Sequence, residues 1–330
     1  MSNSCFDAWL LLDCANNTKN LFVRDGAQIS TTTSGPGDAG ALTINASESV
    51  QLIGTSNSTL DNSQKRSVVS AATSGTGKGG TLTVDTKNLL VRDGAAISTS
   101  TTGAGDAGSL TVNASESVQL IGTSNNGQFL SVLRADTSSQ GKGGTLTVDT
   151  TNLLVREGAT ISALTAGEGN AGNILLRVKD SIILTKDGGL FANTTEGSTG
   201  KGGDIFIYPQ TLTISDGATI SVNSQGRGTG GQIQLQADSL TLDNGTISAE
   251  TASTDGGDIT LDVQDLLLLR NGSQISTTAG TERAGGNGGN LEINTGSIVA
   301  IPQENSDITA NAFTGDGGQI LINTQSSPTI

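Results

Sequence analysis

The chain has no histidine, two cysteines, one tyrosine, one tryptophan and six phenylalanines, and its 17 lysines and arginines are outnumbered by 31 acids. Each shortage closes off a class of function. Without histidine, the commonest general base near neutral pH and the commonest metal ligand are both missing, so acid–base or metal chemistry would fall to carboxylates alone. Cys5 and Cys14 both lie in the first 19 residues, and neither a disulfide framework nor a cysteine-rich zinc site supports the remainder. A net charge of -14 offers no basic footprint for nucleic acid or for an anionic lipid surface. No apolar run approaches the ~20 residues needed to span a bilayer, so no membrane insertion is expected. The short apolar stretch from Ala8 to Leu12 is flanked by Asp7 and Asp13 with no basic region ahead of it, and is not read as a signal peptide.

So few aromatic side chains cannot fill a wide globular core, but a narrow core of stacked Leu, Ile and Val remains available. The 46 glycines point the same way, because they are periodic. A glycine-rich turn running into an alternating strand, clearest as Gly141-Lys142-Gly143-Gly144-Thr145-Leu146-Thr147-Val148, returns ten times. Its last glycine falls at Gly40, Gly80, Gly108, Gly144, Gly172, Gly203, Gly231, Gly257, Gly289 and Gly318. A supersecondary unit repeating every 26 to 40 residues is the mark of a solenoid, in which each unit buries its apolar face only against its neighbours. A larger duplication overlies the coils, since residues 20–56 and 88–124 are identical at 30 of 37 positions.

Period-2 alternation places three strands in each coil. The first is Leu146-x-Val148, the second Leu89-x-Val91 or Val118-x-Leu120, and the third the short Ala95-x-Ile97 after an acid-glycine pair such as Asp93-Gly94. Three strands and three turns predict an all-β, three-sided parallel β-helix of about ten coils over residues 20–324. Residues 1–19, with Phe6, Trp9 and Leu10 to Leu12, are expected to cap its first coil. Residues 325–330 form a truncated tail, and a chain that stops inside a coil is expected to be a fragment of a longer protein. The glycines are expected to supply positive φ at the turns. The acids at Asp25, Asp93, Glu157, Asp187 and Asp216, replaced later by Asn244 and Asn271, are expected to hydrogen-bond their own turn.

Two surface features stand out. The variable position of the glycine turn reads Asp38, Lys78, Asp106, Lys142, Asn170 and Lys201 in successive coils; alternating charges ~4.8 Å apart would form a ladder that helps to set coil register. The outward position of the second strand carries Phe22, Leu90, Leu154 and Leu268, with Gln51 and Gln119 between the first three and Ile183 in uncertain register. Large apolar residues there imply a surface that something covers. One cover is internal, the insertion Gly122 to Ser131 with its Phe129 and Leu130; the other is lateral contact with a second rod or a target. A second insertion, Gly54 to Ser67, occupies the equivalent place in the other copy of the duplicated unit.

The combination of Leu-x-Val-Arg-Asp-Gly-Ala-x-Ile-Ser with Gly-x-Gly-Gly-x-Leu-x-Val resembles the repeat region of filamentous haemagglutinin-type exoproteins of two-partner secretion systems, over roughly residues 20–324. The resemblance implies a right-handed β-helix, export to the cell surface or medium through an outer-membrane transporter, and adhesion to a cell-surface or glycan target. The Asn-Pro-Asn motif of that family's dedicated secretion domain does not occur in this sequence. A structural or adhesive rod, with scope for lateral or end-to-end self-association, is therefore the expected function, with no catalytic residues, cofactor or metal. The alternative is a β-helix polysaccharide lyase or hydrolase, which would need carboxylates clustered where the repeat is broken.

Overall fold

The structure is a computed structural model that describes residues 18–57 and 64–324. The expected leader cap, any Cys5–Cys14 pairing and the tail lie outside the described residues. All of its regular secondary structure is strand, and no helix among the described residues is long and apolar enough to cross a membrane. The strands stack as a parallel β-solenoid of about ten turns. Two continuous parallel sheets run its length, one built from the long strand of each coil and one from the short strand that follows.

The period-2 pattern dictates what lies inside. In a representative coil Leu146, Val148, Leu153, Val155 and Ile161 are buried, and each stands level with an apolar partner in the coils on either side. Each fully buried Val, Leu or Ile contributes about 1.5–3 kcal/mol, so the core is a set of apolar columns rather than one cluster.

The first two strands expected from sequence are one. Thr81–Arg92, Ser109–Ile121, Thr145–Arg156 and Asn173–Thr185 each run unbroken through both positions, bending at a register shift that lies between Thr150 and Asn152 in the third of them. A bulge of this kind bends a strand while the ladder continues on both sides of it. In one coil the two strands are separate, Ile205–Tyr208 and Thr211–Ser215, because Pro209 between them has no N–H to give to the ladder.

The acid-glycine corner is a tight turn with two left-handed residues, as at Asp93 (φ 55°) and Gly94 (φ 86°), closed by the Ala95 N–H on the Arg92 carbonyl at 3.3 Å. No side chain in the Asp25 to Asn271 series hydrogen-bonds its own turn among the described residues; Asp93 and Glu157 instead ion-pair with the preceding Arg92 and Arg156 at 3.3 and 3.6 Å, and Asp187 stands one position out of the column, where Lys186 takes the place level with Glu157. The expectation of such a bond is corrected. Asp and Asn are there because they tolerate positive φ better than other non-glycine residues.

The glycine-rich turn corrects a second expectation. Gly105 and Gly141 do not have positive φ. A Cβ on either would lie 1.9 Å from the carbonyl oxygen of the equivalent glycine one coil earlier. These glycines are required by close approach between coils. Beside them a buried column of Thr73, Thr101, Thr137, Thr165, Thr194, Ser224 and Thr251 bridges coil to coil, and the Thr73 hydroxyl accepts the Gly75 N–H at 3.2 Å.

Candidate functional site

The bend in the long strands makes a concave corner on the outside of the solenoid. It forms a groove of about 1070 Å³ that crosses eight coils, from Asp85 to Gly296. Its floor is the strand backbone at the bend, where the inward side chains Ala114, Thr150, Val178, Ala237 and Val263 are small and buried in the core. One rim is the outward column that passes through Asp85, Asn113, Asp149, Arg177 and Tyr208 in successive coils and resumes with Gln236, Asp262 and Asn294. The facing rim carries Ser115, Lys179, Gln210, Asp238 and Gln264.

Several rim residues are tied in pairs across coils. The Asn113 amide donates to Asp85 at 2.7 Å and the Asn294 amide to Asp262 at 2.8 Å. Arg177 donates twice to Asp149, at 2.5 and 2.7 Å, and this contact raises the guanidinium pKa. Tyr208, the single tyrosine of the chain, sits half-buried near the middle of the groove with Arg177 on one side. Neither its hydroxyl nor the Gln236 amide makes a side-chain hydrogen bond among the described residues. No group of three or more acids or cysteines converges as a metal site among those residues.

The glycine-turn column sits apart from this groove. Lys78 Nζ lies 4.0 Å from Asp106 Oδ2, with both side chains well exposed. A shorter contact runs beneath the charges. Asp38 accepts the backbone N–H of Lys78 at 2.7 Å, Asp106 that of Lys142 at 2.9 Å, and the uncharged Asn170 that of Lys201 at 3.1 Å. The same bond recurs from Asn287 N–H to Asp255 at 2.7 Å, where no lysine is present. A side-chain oxygen reaching the next coil is thus common to charged and neutral rungs.

The apolar stripe is one column in strict register: Phe22, Gln51, Leu90, Gln119, Leu154, Ile183, Thr213, Thr241, Leu268 and Val299. Ile183 belongs to it, and Val299 extends it. Phe22, Ile183 and Val299 are 40–41% exposed, while Leu90, Leu154 and Leu268 are half-buried. The insertion after Gly122 does not hide this column. It packs against the Asp93-Gly94 corner, where the Gly94 N–H donates to Ser131 Oγ at 3.0 Å, and Leu130 itself remains exposed.

The two insertions instead clasp each other. Arg66 donates to the carbonyls of Gly94, Ala95 and Leu130 at 2.9, 3.1 and 2.6 Å and lies 5.3 Å from the Phe129 ring centre. Burial, with Arg134 nearby, lowers its pKa to about 10.

Sequence reasoning did not find the groove. Its signal was present, as short inward residues at one fixed position per coil: Ala46, Thr86, Ala114, Thr150, Val178. No family model, curated protein or solved structure matches this chain.

Proposed function

We propose that this chain is a structural and adhesive rod of an exported or cell-surface exoprotein and that it works without catalysis. The observation that carries this reading is the apolar column on the outer face of the long strands. A single exposed apolar residue needs no explanation, but bulky ones recurring at one position of a regular stack, here with Gln and Thr between them, make a repeated set of apolar contact points. The resemblance to filamentous haemagglutinin-type repeats supports the same reading, and with it an outer-membrane transporter as the export partner.

Replacing both Leu90 and Leu154 with Thr tests it. The expected result is loss of self-association or of adhesion to cells, with the melting temperature nearly unchanged, because threonine suits a solvated strand. Loss of stability with association intact would show that the column is covered from within the chain and would overturn the reading. A β-helix polysaccharide lyase or hydrolase is the second reading, favoured by the four carboxylates along the groove. Depolymerisation of any acidic or neutral polysaccharide by the purified chain would establish it.

A further inference from the structure

We propose that the groove along the strand bend binds an extended, uncharged glycan lying parallel to the solenoid axis. The inference deepens the adhesive reading and rests on it, giving that reading a ligand class and a second surface distinct from the apolar column.

Three features of the groove converge on this ligand. Its shape is linear: eight coils at a rise of ~4.8 Å give a track about 34 Å long, so the occupant is a chain rather than a compact molecule. Its chemistry is layered. Two hydrogen-bonding rims flank a floor of strand backbone over the buried Ala114, Val178, Ala237 and Val263, so the floor carries no charged side chain and the rims can meet the hydroxyls at the edge of a sugar ring. Tyr208 and Gln236 are two rim side chains that make no side-chain hydrogen bond among the described residues, placed in adjacent coils near the middle of the track. An aromatic face and an amide are the pair that would stack on a ring and bond its hydroxyls.

Charge and backbone pairing remove the other linear polymers. Four carboxylates on the rims, Asp85, Asp149, Asp238 and Asp262, face two cations, Arg177 and Lys179, and two of the acids are already engaged by Asn113 and Asn294. A polyuronate or a nucleic-acid strand would bring anions into a groove with excess negative charge. An extended peptide binds a sheet by adding a strand to an open edge. Along the groove the long strands are already paired with the coil on either side, so they offer no such edge.

The test is calorimetric titration of the full chain with hexamers of β-linked glucose, β-linked N-acetylglucosamine, α-linked glucose and galacturonate. At least one neutral hexamer is expected to bind, more tightly than its trimer, while galacturonate binds more weakly than any neutral binder at low salt. Tyr208→Ala should weaken binding about fivefold or more, and Tyr208→Phe should retain most of it. Gln236→Ala, exposed and outside the core, should weaken it without moving the melting temperature. The inference is overturned if no neutral hexamer binds, if galacturonate binds as tightly, or if neither variant changes the affinity. Failure here with adhesion still lost in the Leu90→Thr, Leu154→Thr chain rejects the groove assignment alone. Binding followed by shortening of the hexamer keeps the groove and rejects the non-catalytic reading.

Discussion

At the scale of single residues, the glycines of the repeat do two different jobs. At the acid-glycine corner they provide positive φ, whereas in the glycine-rich turn they allow one coil to lie against the carbonyls of the next. Gly105→Ala places a Cβ 1.9 Å from the Gly77 carbonyl oxygen and should cost about 2 kcal/mol or more in denaturant unfolding. Gly37→Ala, in the first coil with nothing within 4 Å of its Cβ, should change stability by less than about 0.5 kcal/mol. Asp136 makes a second test. It is half-buried and accepts from Ser162 Oγ at 2.9 Å and the Leu164 N–H at 2.8 Å, and burial raises its carboxyl pKa despite these bonds and Arg134. A raised folded pKa means that the folded chain holds the proton more tightly than the unfolded chain. Its effect on stability is then favourable at low pH and is lost as pH rises from the ordinary aspartate range through the folded pKa. Asn193 makes the same two contacts two coils further on, to Ser221 Oγ at 2.9 Å and the Asn223 N–H at 2.8 Å. Asp136→Asn should therefore raise stability at neutral pH. The difference between wild type and variant should shrink on acidification, as thermal melts across the carboxylate range would show.

At the scale of the element, the long strand and its turns explain which parts of the structure were legible. The inward columns were readable because Leu, Ile and Val alternate with polar residues, and the acid-glycine corner because Asp-Gly is a local turn signal. The bend was not readable, since a bulge at Thr150 needs neither glycine nor proline; only Pro209 marked it, in one coil. The role of Gly105 was misassigned because its constraint comes from Gly77, 28 residues away, and turn rules see only neighbours in the chain. The glycine-turn rungs combine both kinds of information. Asp106→Asn should leave stability within about 0.5 kcal/mol of wild type, whereas Asp106→Ala, which leaves the Lys142 N–H without its partner, should cost about 0.5–1.5 kcal/mol. If charge alternation also sets register, changing Lys78 and Lys142 to Glu should lower the melting temperature more at low salt than at high salt. Equal losses at both salts would leave the hydrogen bond as the only contribution of the rung.

At the scale of the whole molecule, repetition makes a long core and a long surface from one short phrase. Columns of equivalent positions produce the apolar stripe, the polar rungs and the groove alike, so a ligand or partner that meets one coil meets the equivalent position again in the next. The coil count was legible from ten Gly-Gly or Ala-Gly pairs. The clasp between the insertions was not, because Arg66 and Phe129 belong to segments that differ in sequence within otherwise near-identical copies. The central claim is the unbroken parallel stack, and it can be measured with a ruler. Gln51, Gln119 and Thr241 lie in one column, Thr241 being six coils from Gln51 and four from Gln119. With Cys5 and Cys14 replaced by Ser, spin labels at Gln51 and Thr241 should lie about 29 Å apart, and those at Gln119 and Thr241 about 19 Å, apart from label length. Equal distances for the two pairs, or a shorter distance for the pair six coils apart, would contradict the stack.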